Sequence, residues 1–409
     1  MSAPDYNVDN PPTLLEAGTL QGRAIGIDMS TIRPFEGRPI FLANLALRGS
    51  LDDMSEAAGK MRRGVHPVVA IKAVEEDRSR VPRDGRREAR LLAKLDHPNI
   101  LSLLNAYATA ASELSVPRIT LFTPYYPHTF RELLASHSFT PSVLDSPDFQ
   151  TLAESLAFQL LSAVSYLHDQ GIAHRDINPN NLVLSEGGRL VLIDFGIATG
   201  ASDEQPGSMF FEVGTGSYRA PELVFASRDY DAPAIDLWAA AVTLAECFTP
   251  LDYPAAQSPG SEDSFQRYYR QHATPPPPPE LERKTLFDGG ASDFLLAASI
   301  FKVCGTPTAE TWPEAAKIPN FARFTFASFP PTDLLSHLPH LAPATPLATI
   351  LPHMLQISAG RRMSAKDAVE LLSKQPLAVP DDLKDDERQS CGLAEGGEYD
   401  LRALLQRVL

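Results

Sequence analysis

The chain has 409 residues, of which 44% are apolar, so it can bury a large core in a two-lobed domain or in a few small ones. Its formal net charge of -15 disfavours nucleic acid as a partner, because contacts with the phosphate backbone need clusters of Lys and Arg that release counterions. Three widely spaced cysteines form neither a disulfide framework nor a zinc ligand set, and such usage is typical of a reducing compartment.

Membrane and secretion signals are absent from the sequence, which has no signal peptide and no apolar run of about 18 residues. We therefore expect a soluble protein of the cytoplasm or nucleus, without membrane contact and acting as a monomer.

The first part of the chain is predicted to be β-rich. Residues 1–20 are rich in Pro and Asp and are expected to form a flexible extension, whereas 21–127 carry short apolar runs separated by Gly and Pro. Within this part, 49–67 has the composition of an insert before the strand-like run HPVVAIKAV. The apolar spacing in GRREARLLAKL then predicts a helix.

Residues 128–376 show mainly helical spacing, most clearly in FQTLAESLAFQLLSAVSYLHDQG, where Gly171 is expected to end the helix. After this helix, NLVLSEGGRLVLIDFG predicts two strands around a Gly-Gly turn. Such a hairpin would place Asp176 and Asp194 on neighbouring loops at one of its ends.

Two later segments are less regular. A Pro-rich insert at 250–286 contains TPPPPPE, which is expected to be an exposed polyproline II spacer or, alternatively, a ligand for an aromatic groove. The tail at 377–409 is acidic and ends in EYDLRALLQRVL, which predicts a short helix that packs on the main body, with partner docking as the alternative.

Five polar residues stand in order at motif positions: Lys72 in VVAIK, Glu88 in the following helix, Asp176 and Asn181 in HRDINPNN, and Asp194 in DFG. An APE triplet at 220–222 follows them. This ordered set resembles the eukaryotic protein kinase family from about residue 21 to 376. The resemblance implies an α+β fold of two lobes, a small β-rich N-lobe with the αC helix and a larger, mainly helical C-lobe.

The resemblance also implies the chemistry of the site. Phosphoryl transfer from ATP spreads negative charge over the γ-phosphate and needs positioning and cations more than a strong nucleophile. By this resemblance Lys72 holds the α- and β-phosphates, and Glu88 fixes the Lys72 ammonium. Asn181 and Asp194 supply oxygen ligands for Mg²⁺, and Asp176 accepts or orients the proton of the substrate hydroxyl. The predicted cofactors are therefore ATP and Mg²⁺.

Three further residues are predicted from the same resemblance. Thr215 in GTGSYRAPE matches the threonine that Ser/Thr kinases keep near the catalytic aspartate. In the hinge segment LFTPYYPHTF, Thr123 is expected to guard the pocket behind adenine, and Tyr126 to offer backbone groups to its edge. A plain strand end is the alternative for this segment.

The group within the family is indicated by CGTPTAETWP and by the Tyr-Arg before APE, which are similar to the cyclin-dependent and mitogen-activated kinases. Two pairs are expected to be structural: Arg362 with Glu222, and Asp236 with Trp238 in the D-x-W motif.

The sequence departs from the pattern at two places. The glycine-rich loop offers only Gly37, and Pro39 removes a backbone donor. Asn178 stands where Ser/Thr kinases place a lysine, and a neutral amide there costs about 1.5–3 kcal/mol of transition-state stabilisation. Its N–H groups are still able to bridge Asp176 and the phosphate. Both departures resemble the divergent single-subunit fungal kinases that activate cyclin-dependent kinases.

We therefore predict a Ser/Thr kinase, with Asp176, Asn178 and Thr215 in its catalytic set, that transfers the γ-phosphate to the activation-loop threonine of a cyclin-dependent kinase. The alternative is a pseudokinase or scaffold. The intact set of five polar residues favours the enzyme, because a scaffold has no need to keep them together.

Regulation is expected to be simple. PRDGRRE replaces the PSTAIRE stretch of cyclin-dependent kinases and puts Arg86 where an apolar residue would enter a cyclin groove, so we expect independence of a cyclin. Phe210 takes the place of the phosphorylated threonine, and Thr199 that of one of its three arginine receptors, which leaves Arg87 and Arg175. We therefore also expect independence of activation-loop phosphorylation.

The activation segment then needs another anchor. We expect Phe210 or Phe211 to anchor it by burial, worth about 1.5–3 kcal/mol, and Glu212 or a neighbouring acid to neutralise the remaining arginines. The alternative is that Ser208 serves as a shifted phosphosite.

Overall fold

The computed structural model describes residues 14–20, 23–35, 40–47, 68–76, 82–109, 117–200, 203–204, 207–252, 282–289, 292–318, 320–383, 387–388 and 400–409. In these ranges the chain forms a β-rich lobe with one helix and a larger, mainly helical lobe, as predicted. The insert at 49–67 lies outside the described residues, and so does all of the Pro-rich insert except its two ends.

The first lobe is built on a six-stranded antiparallel sheet with the spatial order β1-β2-β3-β4-β6-β5. Its strands are β1 (Leu14–Leu20), β2 (Arg23–Pro34), β3 (Phe41–Leu47), β4 (Val68–Glu75), β5 (Asn105–Thr109) and β6 (Arg118–Pro124). The loop between β2 and β3 is the predicted phosphate lid, and Gly37 and Pro39 in it lie outside the described residues.

Strand β1 differs from the prediction, which assigned residues 1–20 to a flexible extension. Residues 14–20 pair with β2 from Leu14 opposite Asp28 to Leu20 opposite Arg23. Composition alone suggested flexibility, but pairing with an edge strand satisfies the backbone groups of this segment.

Helix α1 (Gly85–Leu92) follows β4 and corresponds to the αC helix of the resemblance. Asp84 is its N-cap, because the carboxylate accepts a hydrogen bond from the backbone N–H of Arg87 at 3.0 Å. Gly85 lies against Val74 of β4, where an added Cβ would approach to 3.2 Å. This close contact holds α1 on the sheet and points Glu88, which is buried, towards β4.

The helices of the second lobe surround a single apolar core and are α2 (Phe130–Ala135), α3 (Ser146–Asp169), α4 (Pro221–Val224), α5 (Ala232–Ala245), α6 (Asp293–Cys304), α7 (Pro346–Met354), α8 (Ala365–Leu372) and α9 (Leu401–Gln406). The long helix α3 ends as predicted, with Gly171 in the left-handed region at a φ of 67°.

Short strands next to α3 carry the loops of the site. They are β7 (His128–Thr129), β8 (Ile172–Ala173), β9 (Leu182–Leu184), β10 (Leu190–Leu192), β11 (Thr199–Gly200), β12 (Leu251–Asp252) and β13 (Glu282–Arg283). β9 and β10 form the predicted antiparallel hairpin, so Asp176 before β9 and Asp194 after β10 lie at the same end.

The C-terminal helix packs on the main body, as expected. Leu401, Leu404, Leu405 and Val408 are all buried in the core of the helical lobe. None of the helices in the described ranges is both long and apolar enough to cross a bilayer.

Candidate active site

A cleft of about 690 Å³ lies between the lobes and is lined by residues of both. Thr123 and Tyr126, the two predicted adenine-side residues, line it and are largely buried. Thr123 of β6 lies opposite Ala70 of β4, and Lys72 follows Ala70 on β4. Their roles toward adenine stay predictions, whereas their position at the inner wall of the cleft is a property of the fold.

Lys72 is the centre of an ion-pair cluster. Its Nζ lies 2.8 Å from Glu88 Oε1 and 2.8 Å from Asp194 Oδ1. Burial alone lowers the pKa of Lys72, but the charges of Glu88 and Asp194 outweigh burial and raise this pKa above the ordinary lysine value. Lys72 is therefore a permanent cation that links both lobes.

Asp194 carries strain that its contacts offset. Its backbone is in the left-handed region, with a φ of 63°, which is costly for a residue with a side chain. Burial raises the pKa of Asp194, but Lys72 and Arg83 outweigh burial and hold it well below the ordinary aspartate range. The carboxylate thus stays ionised at any working pH.

Asp176 receives hydrogen bonds from three side chains. Thr215 Oγ1 donates to its Oδ1 at 2.6 Å, Asn178 Nδ2 donates to Oδ1 at 3.1 Å, and Asn181 Nδ2 donates to Oδ2 at 2.9 Å. Burial raises the pKa of Asp176 above the ordinary aspartate value, although the bond from Thr215 acts in the opposite direction. A fixed carboxylate with a raised pKa suits the acceptance of a proton from a substrate hydroxyl.

Asn178 supports the catalytic loop in a way that a lysine cannot. It is buried, its Nδ2 donates to both the backbone oxygen and the carboxylate of Asp176, and its Oδ1 accepts from the N–H of Asn180 at 3.0 Å. The amide therefore caps the turn Pro179–Asn181. This differs from the expected bridge between Asp176 and a phosphate, because the donors of the amide are directed at Asp176.

Asp236 holds the backbone of the catalytic loop in place, in agreement with the structural role predicted for this residue. The buried carboxylate accepts from the N–H groups of His174 and Arg175, both at 2.7 Å. Arg175 has a φ of 66°, and these bonds hold it in that strained conformation. The predicted pair of Arg362 and Glu222 is formed, since Arg362 Nη1 lies 2.7 Å from Glu222 Oε1.

A metal ion fits the cleft through Asn181 and Asp194. Both side chains line the same cavity, and each offers the hard oxygen that Mg²⁺ prefers. The Nδ2 of Asn181 donates its hydrogen bonds to Asp176. The amide oxygen of Asn181 is therefore the atom that would bind the metal ion. When bound, the ion would gather the charge of the phosphates.

The sequence reasoning missed two residues. Arg83, just before α1, contacts Asp194, with Nη1 3.1 Å from Oδ1. Glu204 in the activation segment is paired with Arg175, with Nη2 2.9 Å from Oε1. Each belongs to a charged run, PRDGRRE or SDE, and a charged run is most often a solvated surface. The sequence signal that was available for Glu204 is its place shortly before Phe210, the residue that stands where the phosphorylated threonine would be.

The comparisons with known proteins agree with this geometry. A model of the protein kinase domain matches residues 54–371, which is most of the chain. The chain belongs to the protein kinase family. Cyclin-dependent kinase 7 of Xenopus laevis is 30% identical over 326 residues, 77% of each protein. That of Carassius auratus is 30% identical over 312 residues, 74% of each.

Among solved structures, a chain of the yeast RNA Pol II CTD kinase CTDK-1 complex has a TM-score of 0.57 at 20% identity, and the match covers 94% of this kinase and 100% of that chain. At this identity the similarity supports the fold alone. Together, the family, its cyclin-dependent relatives and the polar cluster show that the kinase is an ATP-dependent Ser/Thr protein kinase of the cyclin-dependent type.

Proposed function

We propose that this kinase phosphorylates the activation-loop threonine of a cyclin-dependent kinase, with ATP and with Mg²⁺ held by Asn181 and Asp194. It does so as a monomer, without a cyclin and without a phosphate on its own activation segment. The similarity to cyclin-dependent kinase 7 and the resemblance to single-subunit fungal activating kinases support the choice of substrate. Its presence in the cytoplasm or nucleus stays a prediction from the sequence.

The observation that carries the proposal is the contact of Glu204 with Arg175. Arg175 Nη1 donates to Glu204 Oε2 at 3.0 Å, and the same carboxylate oxygen accepts from the backbone N–H of Phe210, at the lost phosphosite, at 3.1 Å. Tyr230 adds a bond from its hydroxyl to the Phe210 oxygen at 2.6 Å. A carboxylate of the chain thus occupies the receptor of a phosphate, and this supports activity without phosphorylation.

The acid in this position is Glu204, which the prediction did not name, whereas Glu212, the acid that it did name, is exposed. The second remaining arginine, Arg87, is used differently, because its Nη1 donates to the Ala198 oxygen at 3.3 Å. Phe210 and Phe211 are partly buried against the core, as an anchoring role requires.

Independence of a cyclin is supported by helix α1. The Lys72–Glu88 pair, which kinases need in place for activity, is formed in the single chain. Arg86, at the position of the cyclin contact, is exposed and donates through Nη2 to Glu76 at 2.9 Å. Docking of an apolar surface there would bury an ion pair, which costs free energy.

The test uses protein made in bacteria, treated with phosphatase and assayed alone with Mg²⁺-ATP on a purified cyclin-dependent kinase. We expect transfer to its activation-loop threonine, and no transfer when that threonine is replaced by alanine. A requirement for added cyclin or for an upstream kinase would contradict the proposal. Loss of activity in Ser208→Ala would identify Ser208 as a shifted phosphosite instead.

A further inference from the structure

Arg83 is a second cation at the inner end of the cleft. It lies one residue before the N-cap of α1, lines the cavity, and its guanidinium reaches both oxygens of Asp194, with Nη1 3.1 Å from Oδ1 and 3.3 Å from Oδ2. Its Nη2 is 3.4 Å from Oδ2. The Arg83 side chain is 39% exposed, so a ligand in the cleft can reach its guanidinium.

The charges around the cleft leave a need for such a cation. Lys72 is shared by Glu88 and Asp194, and Asn178, which replaces the family's lysine, directs its amide at Asp176. The cleft also contains Arg118, but that side chain is paired with Glu75 at the far end of the β4–β6 pairing. Near Asp194, the carboxylates that line the described part of the cleft are therefore those of Glu88 and Asp194, and their cations are Lys72 and Arg83.

The position of Arg83 is built by the fold. Its guanidinium lies against Gly196 of the DFG triplet, where an added Cβ would meet Nη1 at 2.8 Å. The backbone N–H of Asp84 donates to the oxygen of the same glycine at 2.9 Å. Burial lowers the pKa of Arg83, but the charges of Asp194, Glu88 and Asp176 outweigh burial and raise it. Arg83 is thus anchored beside the residues that handle the phosphates.

We propose that Arg83 binds the terminal phosphates of ATP and supplies the positive charge that Asn178 lacks. The planar guanidinium that grips the carboxylate of Asp194 matches a phosphate equally well, because both present two oxygens to its fork. With ATP bound, Arg83 would exchange Asp194 for a phosphate, and the Asp194 carboxylate would then be available to hold a metal ion. Arg83 is then a phosphate-binding residue supplied by the segment before α1, in place of the catalytic-loop lysine.

The inference rests on the proposed use of ATP in this cleft, and it is tested by binding in the absence of any protein substrate. Failure of the proposed substrate and failure of the role of Arg83 are therefore separate results. Purified wild type, Arg83→Met and Arg83→Lys are titrated calorimetrically with ATP, ADP and adenosine, each with and without Mg²⁺. Arg86→Met, which replaces an exposed arginine in the first turn of α1, is the matched control.

We expect Arg83→Met to weaken ATP binding by about tenfold or more, which is the effect of one lost charge-assisted hydrogen bond. ADP should be affected less, and adenosine not at all, because the contact involves the terminal phosphates. Arg83→Lys should keep part of the affinity, and Arg86→Met all of it. A nucleotide-free melting temperature near that of wild type checks that the variants are folded.

Unchanged or tighter binding of ATP to Arg83→Met would overturn the inference. It would mean that Arg83 only blocks Asp194 until a metal ion displaces it. An equal loss of affinity for ATP, ADP and adenosine would also overturn it, since the effect would then lie in the shape of the cleft and not in a phosphate contact.

Discussion

Two clusters of arginine or lysine with carboxylates lie on either side of the catalytic loop, and they differ in how open they are. In the cleft, Lys72 and Asp194 keep 27% and 24% of their side-chain surface exposed. In the second cluster, the side chains of Arg175 and Glu204 are 0% and 9% exposed. The first cluster can exchange partners with a ligand, whereas the second is closed to solvent and its two charges face each other.

This difference teaches which residues can be replaced. The open cluster must hold particular atoms for a metal ion and a phosphate, and each of its predicted polar residues is present. The closed cluster needs a negative charge beside Arg175, and the carboxylate of Glu204 supplies one.

The largest effect is expected from Asp176→Ala in the open region. Loss of the proton acceptor should lower kcat by about 10²–10⁴-fold, because general-base assistance contributes that much. Steady-state kinetics measures the effect, with a melting curve to show that the fold is kept. Asp229→Asn, an exposed aspartate of the same lobe, serves as the control and should leave kcat unchanged. A loss of less than tenfold would assign the proton transfer to another group.

The closed cluster is broken by Glu204→Ala. The variant leaves Arg175 buried without its partner, and such a loss costs about 3–5 kcal/mol of unfolding free energy. Urea unfolding measures the loss, and kcat should fall as well, because Arg175 adjoins Asp176 in the chain. Added sulfate should stabilise the variant more than the wild type, since sulfate stabilises folded proteins in general but only the variant has an empty receptor for it.

The matched control for Glu204 is Glu212→Ala, the exposed acid of the same segment, which should be neutral in both assays. If Glu204→Ala is as stable and as active as the wild type, the carboxylate does not replace a phosphate. The closed cluster would then have no anchoring role.

Thr215 connects the activation segment to Asp176 of the catalytic loop, and this contact predicts a pH effect. Its hydrogen bond lowers the pKa of Asp176 against the effect of burial, so Thr215→Val should raise that pKa further. Asp176 accepts a proton only when it is ionised, and the rate falls as the pH drops through its pKa. The acid limb of the pH profile of kcat should therefore move to higher pH in Thr215→Val.

Thr215→Ser keeps the hydroxyl and is the control for this shift. An acid limb at the same pH in all three proteins would show that Asp176 does not limit the rate in that range.

Motif spacing was enough to predict the two lobes, the hairpin of β9 and β10, and the residues that meet in the cleft, because each of these depends on local pattern or on a fixed order of motifs. Arg83, Glu204 and strand β1 were not predicted. Asp194 and Arg175, the partners of Arg83 and Glu204, are brought to them by the tertiary fold, and a charged residue in the sequence does not indicate such a contact. Strand β1 pairs with the next strand in the chain, and it was missed because the Pro- and Asp-rich composition of 1–20 suggested flexibility. Asn178 was noticed, but its role as a cap could be seen only from the directions of its two ends.

The smallest effect is expected from a third kind of carboxylate, one that has no cation partner among the described residues. Glu154 lies on α3, is 7% exposed, and in the described part of the chain its Oε1 has no hydrogen-bond partner. Burial raises its pKa from 4.5 to about 7. The folded protein thus holds a proton that the unfolded chain releases, so stability falls as the pH rises from 4.5 to about 7 and stays reduced above that.

Glu154→Gln removes the ionisation and should stabilise the fold at pH above 7 by about 1 kcal/mol, with little effect below the ordinary pKa of glutamate. Urea unfolding at several pH values measures the difference, and Glu310→Gln, at an exposed position, should show none. A gain that is the same at every pH would mean that Glu154 titrates normally, and that a buried carboxylate in this lobe needs no cation to stay ionised.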